Sequence, residues 1–336
     1  MSRFQKYAAY LSLTLVCIGV GYGVAQFILP QTDTHQQAQC QKPEDLPAMV
    51  YIPAGEVVLG DARGYPEERN QLKVEIGAFY MDTHEVTNAQ FAEFVQATNY
   101  QTLAERALDP KDFPDIELSK LVPGSAVFQM PKANETVHAM SWWRFIEDAH
   151  WRNPEGNGNE SLNPQSPVVQ IAYEDALAYA HWKGHDLPTE AEWEYAAQGG
   201  STQIYAWGEQ FLIDGDYMAN SWQGAFPNQD LGEDGFIGRA PIGCFPPNRF
   251  GLYDMIGNVW EWTKEVYSPN RQYLSSNSAT NEPFVIKGGS FLCAPNYCIR
   301  YRPAARQPQE TGLGTNHLGF RTIKRISQSD IPKQTF

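Results

Sequence analysis

Two cysteines separated by four residues stand in the segment Lys287-Gly288-Gly289-Ser290-Phe291-Leu292-Cys293-Ala294-Pro295-Asn296-Tyr297-Cys298. They follow a Gly-Gly-Ser turn and precede Arg300-Tyr301-Arg302. Thiolates are nucleophiles and soft ligands, so such a pair could be a local disulfide, a redox dithiol, or a two-coordinate site for a soft ion such as Cu(I). A zinc site needs about four ligands, and no second close cysteine pair is present.

Two acidic segments could hold a hard cation. Asn220-Ser221-Trp222-Gln223-Gly224 is followed by Asp230-Leu231-Gly232-Glu233-Asp234-Gly235-Phe236. Carboxylates, side-chain amides and backbone carbonyls in flexible loops suit Ca2+, although the spacing is not that of an EF-hand and a solvated acidic turn would look the same. In Gly251-Leu252-Tyr253-Asp254-Met255-Ile256-Gly257-Asn258-Val259-Trp260-Glu261-Trp262, Asp254 and Glu261 flank a Gly-Asn turn. They could close around one cation or cap the turn. His181 and His185 are four apart at the end of an expected helix. With no further ligand to place beside them, they read as structural or exposed. Neither a Gly-x-Ser-x-Gly nucleophile elbow nor an H-E-x-x-H zinc motif occurs.

These segments need elements to hold them. Met49-Val50-Tyr51-Ile52-Pro53, Gly55 and Val57-Val58-Leu59-Gly60 read as strand, turn and strand, and Val74, Ile76 and Phe79 as a further strand. Thr87-Asn88-Ala89-Gln90 fits a capping box, with Phe91, Phe94 and Val95 following at helical spacing. Ala172 to Trp182 reads as a helix, and Thr189-Glu190-Ala191-Glu192 opens another through about Gln198. Between 99 and 167 there is little periodicity, and a stretch that long inside a domain tends to be functional. All nine tryptophans lie between Trp142 and Trp262, and core packing accounts for most of them. Strand-helix alternation and phosphate-binding glycine loops are missing, which argues against a doubly wound nucleotide-binding fold.

The chain has 336 residues, with 25 basic and 39 acidic side chains, for a formal charge of −14. Nucleic acid is a poor partner for that balance. Aromatics at 13% with charged residues at 19% argue against disorder. Residues 7–29 carry no formal charge over 23 positions, roughly 34 Å as a helix and enough for a bilayer core. Arg3 and Lys6 precede this run, and Asp33, Glu44 and Asp45 follow it. The expectation is therefore a cytoplasmic N-terminus (1–6), a transmembrane signal anchor (7–29), a polar linker (30–47) and an extracytoplasmic domain, periplasmic or at the cell surface. A cleaved signal peptide ending near Ala25 is the alternative. Cys17 falls inside the apolar run; the other four cysteines would meet an oxidising space, where Cys40 and Cys244 could pair or stay as thiols.

The chain resembles the formylglycine-generating enzymes, or sulfatase-modifying factors, from about Met49 to Lys324. The resemblance is carried by Met81-Asp82 with Glu85-Val86-Thr87-Asn88, by Trp151-Arg152-Asn153-Pro154-Glu155-Gly156, and by Leu187-Pro188-Thr189-Glu190-Ala191-Glu192-Trp193-Glu194-Tyr195-Ala196. Asn220 to Gly224, Gly257-Asn258-Val259-Trp260-Glu261-Trp262, Gly288-Gly289-Ser290 and Leu318-Gly319-Phe320-Arg321 complete it. Several of these are shared with the wider superfamily and speak to the fold; the Cys293…Cys298 pair is the part that non-catalytic relatives lack. The resemblance implies an α+β, C-type-lectin-like fold with little regular secondary structure over 48–325, followed by a tail (326–336). It implies oxidation by O2 of the cysteine in a Cys-x-Pro-x-Arg segment of unfolded sulfatases to Cα-formylglycine, by a monomeric enzyme.

Carried over residue by residue, Cys293 and Cys298 would hold Cu(I). Ser290, Trp260 and Tyr297 would line the oxygen and substrate-thiol pocket. Asn220, Ser221, Asp234 and Phe236 would form one Ca2+ site; Asp254, Gly257, Val259 and Glu261 would form a second, with some ligands from backbone carbonyls. Arg300 and Arg302 could position substrate or pair with carboxylates. Two structural disulfides of vertebrate members are missing, their positions reading Ala180, Ala197, Pro303 and Thr322, as in a prokaryotic-type member. Two other readings compete: a non-catalytic binding or scaffold module in which Cys293–Cys298 is a disulfide, and an iron-dependent sulfoxide synthase. The second needs an H-x3-H-x-E motif, whereas here Leu187 stands at the last position after His181 and His185.

Overall fold

A computed structural model of the chain describes residues 40–326, apart from 109, 112–114, 116, 133–134, 136–137, 139, 159–161 and 272–281. The described elements run in chain order as β1 (Met49–Ile52), β2 (Gly55–Leu59), β3 (Leu72–Ile76), β4 (Phe79–Asp82), α1 (Asn88–Thr98), β5 (Gly124–Phe128), β6 (Trp143–Glu147), α2 (Tyr173–Trp182), α3 (Glu190–Gln198), β7 (Leu212–Ile213), β8 (Asp216–Tyr217), β9 (Trp260–Val266), β10 (Phe284–Lys287), β11 (Arg306–Gln309), β12 (Leu318–Gly319) and β13 (Ile323–Arg325). The fold is α+β with short elements, as expected. The run expected as one strand around Val74 is two, β3 and β4, and the region expected as irregular between 99 and 167 contains the β5–β6 hairpin. That hairpin pairs Phe128 with Trp143 across its ends. Its partly exposed faces lack the alternation that would have revealed it.

Two sheets organise the site. β4 lies between β1 and β13, so the first and last strands of the domain share one sheet. The other runs β11-β10-β9-β12, with β12 parallel to β9 so that Leu318 faces Trp260. The helices begin where their caps dictate. Thr87 Oγ1 accepts from Gln90 N–H at 3.2 Å while the Gln90 side chain accepts from Thr87 N–H at 2.9 Å. Thr189 and Glu192 repeat the arrangement for α3, which satisfies amides that a helix start leaves unpaired. The main core centres on Phe91, which meets Trp151 edge-on at 5.2 Å and stacks on Tyr179 at 5.8 Å; Trp260, Trp262, Ile286 and Cys293 belong to the same cluster.

A buried ionic cluster fixes the C-terminal end of β10. Lys287, fully buried, donates to Glu194 at 2.7 Å, and Arg306 pairs with Glu190 at 2.8 Å. Ions taken out of water are tolerated only when paired this closely. Cys40 and Cys244 form a disulfide that ties the start of the described chain to the loop before β9. Among the described residues no helix is long and apolar enough to cross a membrane, and the anchor expected at 7–29 lies outside them.

Candidate active site

β10 delivers Lys287 to a turn in which Gly288 and Gly289 have φ of 96° and 78°. A Cβ on Gly289 would sit 2.6 Å from the Arg300 carbonyl, so only glycine allows the turn to lie against the segment that leaves the site. From there the chain coils. Cys293 N–H donates to Ser290 O at 2.9 Å, Cys298 N–H to Ala294 O at 2.8 Å, and Trp222 N–H to Cys293 O at 3.1 Å. The two thiols end with Sγ–Sγ at 3.2 Å, both free, Cys293 buried and Cys298 half-buried. This exceeds a disulfide bond of about 2.05 Å. Burial pushes the Cys293 thiol up, but the hydrogen bond from Cys298, with help from Arg300, outweighs it, and the net shift is downward. The same hydrogen bond and burial push Cys298 up. The pair therefore releases one proton readily and holds the other.

The thiols face a cleft of about 290 Å3. Ser290 and Trp260 both line it, and both are buried. Tyr297 closes one side, stacked on Phe226 at 4.3 Å and edge-on to Trp142 at 5.5 Å. Tyr65 and Arg300 also line the cleft. The Arg300 guanidinium lies 4.2 Å over the Tyr65 ring, pairs with Glu67 at 2.5 Å and donates to Arg306 O at 2.6 Å. Arg302 pairs with the buried Glu68 at 2.5 Å. Both arginines therefore bind carboxylates of the 65–68 turn, and Arg300 also reaches the cleft. A soft, low-coordinate ion fits this donor set: two adjacent thiols, aromatic walls and open space above.

The first expected calcium loop is brought together. Asp234 Oδ2 accepts from Ser221 N–H at 3.0 Å and from the Gln223 amide at 2.8 Å, and Asp234 Oδ1 accepts from Phe236 N–H at 3.0 Å. Asn220 donates to Gly238 O at 2.9 Å. Burial pushes the Asp234 carboxyl up to about 6, a cost that a hard cation would offset, so these oxygens fit Ca2+. The second loop abuts the first, with Asn258 N–H donating to Asn220 O at 2.9 Å. Gly257 is held tightly here, since a Cβ would lie 2.1 Å from Asn220 O. Val259 is buried one residue before Trp260. Asp254 accepts from Gly243 N–H at 2.7 Å, and burial pushes it up to about 6. Glu261, however, is engaged by Arg321 at 2.8 Å and by Trp193 Nε1–H at 2.7 Å. A cation in this loop would share Glu261 with Arg321, so the fit is poorer than in the first. Among the described residues no group of three His, Cys, Asp or Glu side chains gathers as a metal site; both loops depend on amide and backbone oxygens.

His185 Nδ1 lies 2.8 Å from Thr322 Oγ1 and His181 is exposed, so both are structural or surface groups as expected. Of the four positions without the vertebrate disulfides, Ala180 and Ala197 are core residues and Thr322 bonds Asp82 at 2.7 Å. Sequence reasoning missed His317, Tyr65, Met140 and the aromatic side wall, all lining the cleft. The only available signal for His317 was its place directly before Leu318-Gly319-Phe320-Arg321.

A model of the sulfatase-modifying factor enzyme 1-like domain matches residues 34–326. The formylglycine-generating enzyme of Mycobacterium tuberculosis is 47% identical over 293 residues, covering 83% of this chain and 98% of that protein. A Mus musculus protein described as inactive C-alpha-formylglycine-generating enzyme 2 is 37% identical over 300 residues, 86% of this chain and 88% of its own. Among solved structures, PvdO from Pseudomonas aeruginosa is similar in fold, with a TM-score of 0.59 at 21% identity over 87% of this chain and 99% of that one. With the domain model matching residues 34–326 and a bacterial relative matched over nearly its whole length, the chain belongs to the formylglycine-generating enzyme family.

Proposed function

We propose that this protein oxidises the cysteine of a Cys-x-Pro-x-Arg segment in unfolded sulfatases to Cα-formylglycine, with O2 as oxidant and Cu(I) held by Cys293 and Cys298. The observation that carries this reading is the pair of free thiols 3.2 Å apart at the base of an aromatic cleft. Bound there, Cu(I) would supply a soft site for the substrate thiolate and a means of activating O2. Cys293 contributes the thiolate that forms first, because Cys298 and Arg300 favour its charge. Phe226, Trp142 and Tyr297 give the cleft an aromatic wall against which a peptide turn could lie. Holding the substrate sulfur against the pair makes an intermolecular oxidation an oriented one. The substrate loses two electrons and two protons, from S–H and Cβ–H, to O2, which is thereby reduced to the level of hydrogen peroxide. Water then replaces sulfur in the thioaldehyde, releasing hydrogen sulfide and leaving the aldehyde.

Ca2+ in the loop around Asp234, and secondarily in that around Asp254, completes the proposed cofactor set. The Cys40–Cys244 disulfide supports an oxidising compartment, which agrees with an extracytoplasmic domain carried by the anchor expected at 7–29. A scaffold with a Cys293–Cys298 disulfide is the second reading; the thiols are close enough to oxidise, and a family member described as inactive is 37% identical. Thiol labelling with Cu(I) titration separates the two. In the proposed enzyme Cys293 and Cys298 both label, both are protected by Cu(I), and tight copper binding is lost in Cys293→Ser or Cys298→Ser. Failure of Cys293 and Cys298 to label without reductant would favour the scaffold.

A further inference from the structure

His317 is the last residue before β12, and its carbonyl accepts from Trp260 N–H at 2.8 Å. Its ring is buried yet lines the cleft beside the Cys293–Cys298 pair. It packs against Trp143 at 4.8 Å, and Nδ1 lies 2.6 Å from Thr315 Oγ1. The backbone before it is fixed: Asn316 accepts from Phe128 N–H at 2.9 Å and donates to Glu155 at 2.7 Å. The other ring nitrogen, Nε2, has no protein partner among the described residues, and it is not sealed in the core. Two other residues lining the cleft are engaged, Tyr65 Oη by Ile299 N–H at 3.2 Å and Arg300 by Glu67.

We infer that His317 is a substrate-contacting residue of this cleft, its Nε2 hydrogen-bonding the backbone of the cysteine-bearing peptide; this rests on the proposed reading of the cleft. Burial alone holds the imidazole down to about 3, so at neutral pH the ring is uncharged and offers one donor and one acceptor. A ring so reluctant to take a proton is suited to positioning the peptide and unsuited to serving as a base. The Thr315 hydroxyl can donate to Nδ1 or accept from it, so Nε2 can take whichever role the peptide backbone requires.

The test is binding of a Ser-x-Pro-x-Arg peptide to metal-free protein, in which no turnover occurs. A glutamine amide reaches the position of Nε2, whereas an asparagine amide reaches only that of Nδ1. His317→Gln is expected to bind like the wild type, and His317→Asn and His317→Ala to bind about ten-fold more weakly, the loss of one hydrogen bond. In the wild type, the 15N resonance of His317 Nε2 shifts when the peptide is added. Unchanged binding in both Asn and Ala variants, no binding by the wild type, or no Nε2 shift overturns the inference. The resonance decides the matter if the variants do not fold. Copper-loaded protein that leaves the cysteine peptide intact while the Nε2 shift persists would overturn the proposed reaction alone. Conversion of that peptide without the shift would overturn the role of His317 alone.

Discussion

A buried thiol ordinarily keeps its proton more tightly than one in water, yet Cys293 is shifted downward because Cys298 and Arg300 stabilise its charge. In metal-free protein, alkylation should therefore begin at a pH below that of an ordinary thiol of about 8.5 and modify Cys293 before a second thiolate forms. Mass-spectrometric mapping of alkylation against pH reads this directly, and equal modification of both cysteines at every pH would contradict it. The pair itself was visible in the sequence from its spacing and its Gly-Gly-Ser lead. Its surroundings were not, because Arg300 finds Glu67 and Ile299 finds Tyr65 across more than two hundred residues, and such contacts leave no local pattern.

The elements around the site are short, so each depends on its ends. Removing the Thr189 cap of α3 by Thr189→Ala should cost about 1 kcal/mol in denaturant unfolding. Lys287→Met should cost more, about 3–5 kcal/mol, because the buried Glu194 would lose its closest cation. Because Lys287 immediately precedes the Gly288-Gly289 turn, that variant is also expected to weaken copper binding. A variant as stable as the wild type would show that the buried ions do not hold the turn. The capping boxes made α1 and α3 legible almost to the residue, since their signal lies within four positions. The β5–β6 hairpin was not legible: Phe145 is exposed while Trp143 leans on Phe128 and His317, so its apolar residues serve the cleft wall and do not form one buried face.

Over the whole molecule, two long-range devices set stability. The Cys40–Cys244 bond joins residues 204 apart, and Cys40→Ser should destabilise the domain by about 2–5 kcal/mol, read as a lower Tm. The charge of −14 gives cations a second role. Asp234 and Asp254 are pushed up to about 6 in the folded protein, above the roughly 3.9 of an unfolded aspartate. The fold therefore binds these protons more tightly than the unfolded chain does. The stability they confer is full below about pH 4 and is lost as pH rises through 6. Ca2+ competes with those protons, so at a fixed Ca2+ concentration its stabilising effect should be smaller at pH 5 than at pH 7.5; an equal Tm shift at both would contradict the calcium assignment. The most direct measurement of the central claim is mass spectrometry of a Cys-x-Pro-x-Arg peptide incubated with O2 and the Cu(I)-loaded protein. The account predicts an aldehyde, trapped by hydroxylamine and lost in Cys293→Ser and Cys298→Ser. An unaltered cysteine in the presence of bound copper would contradict it.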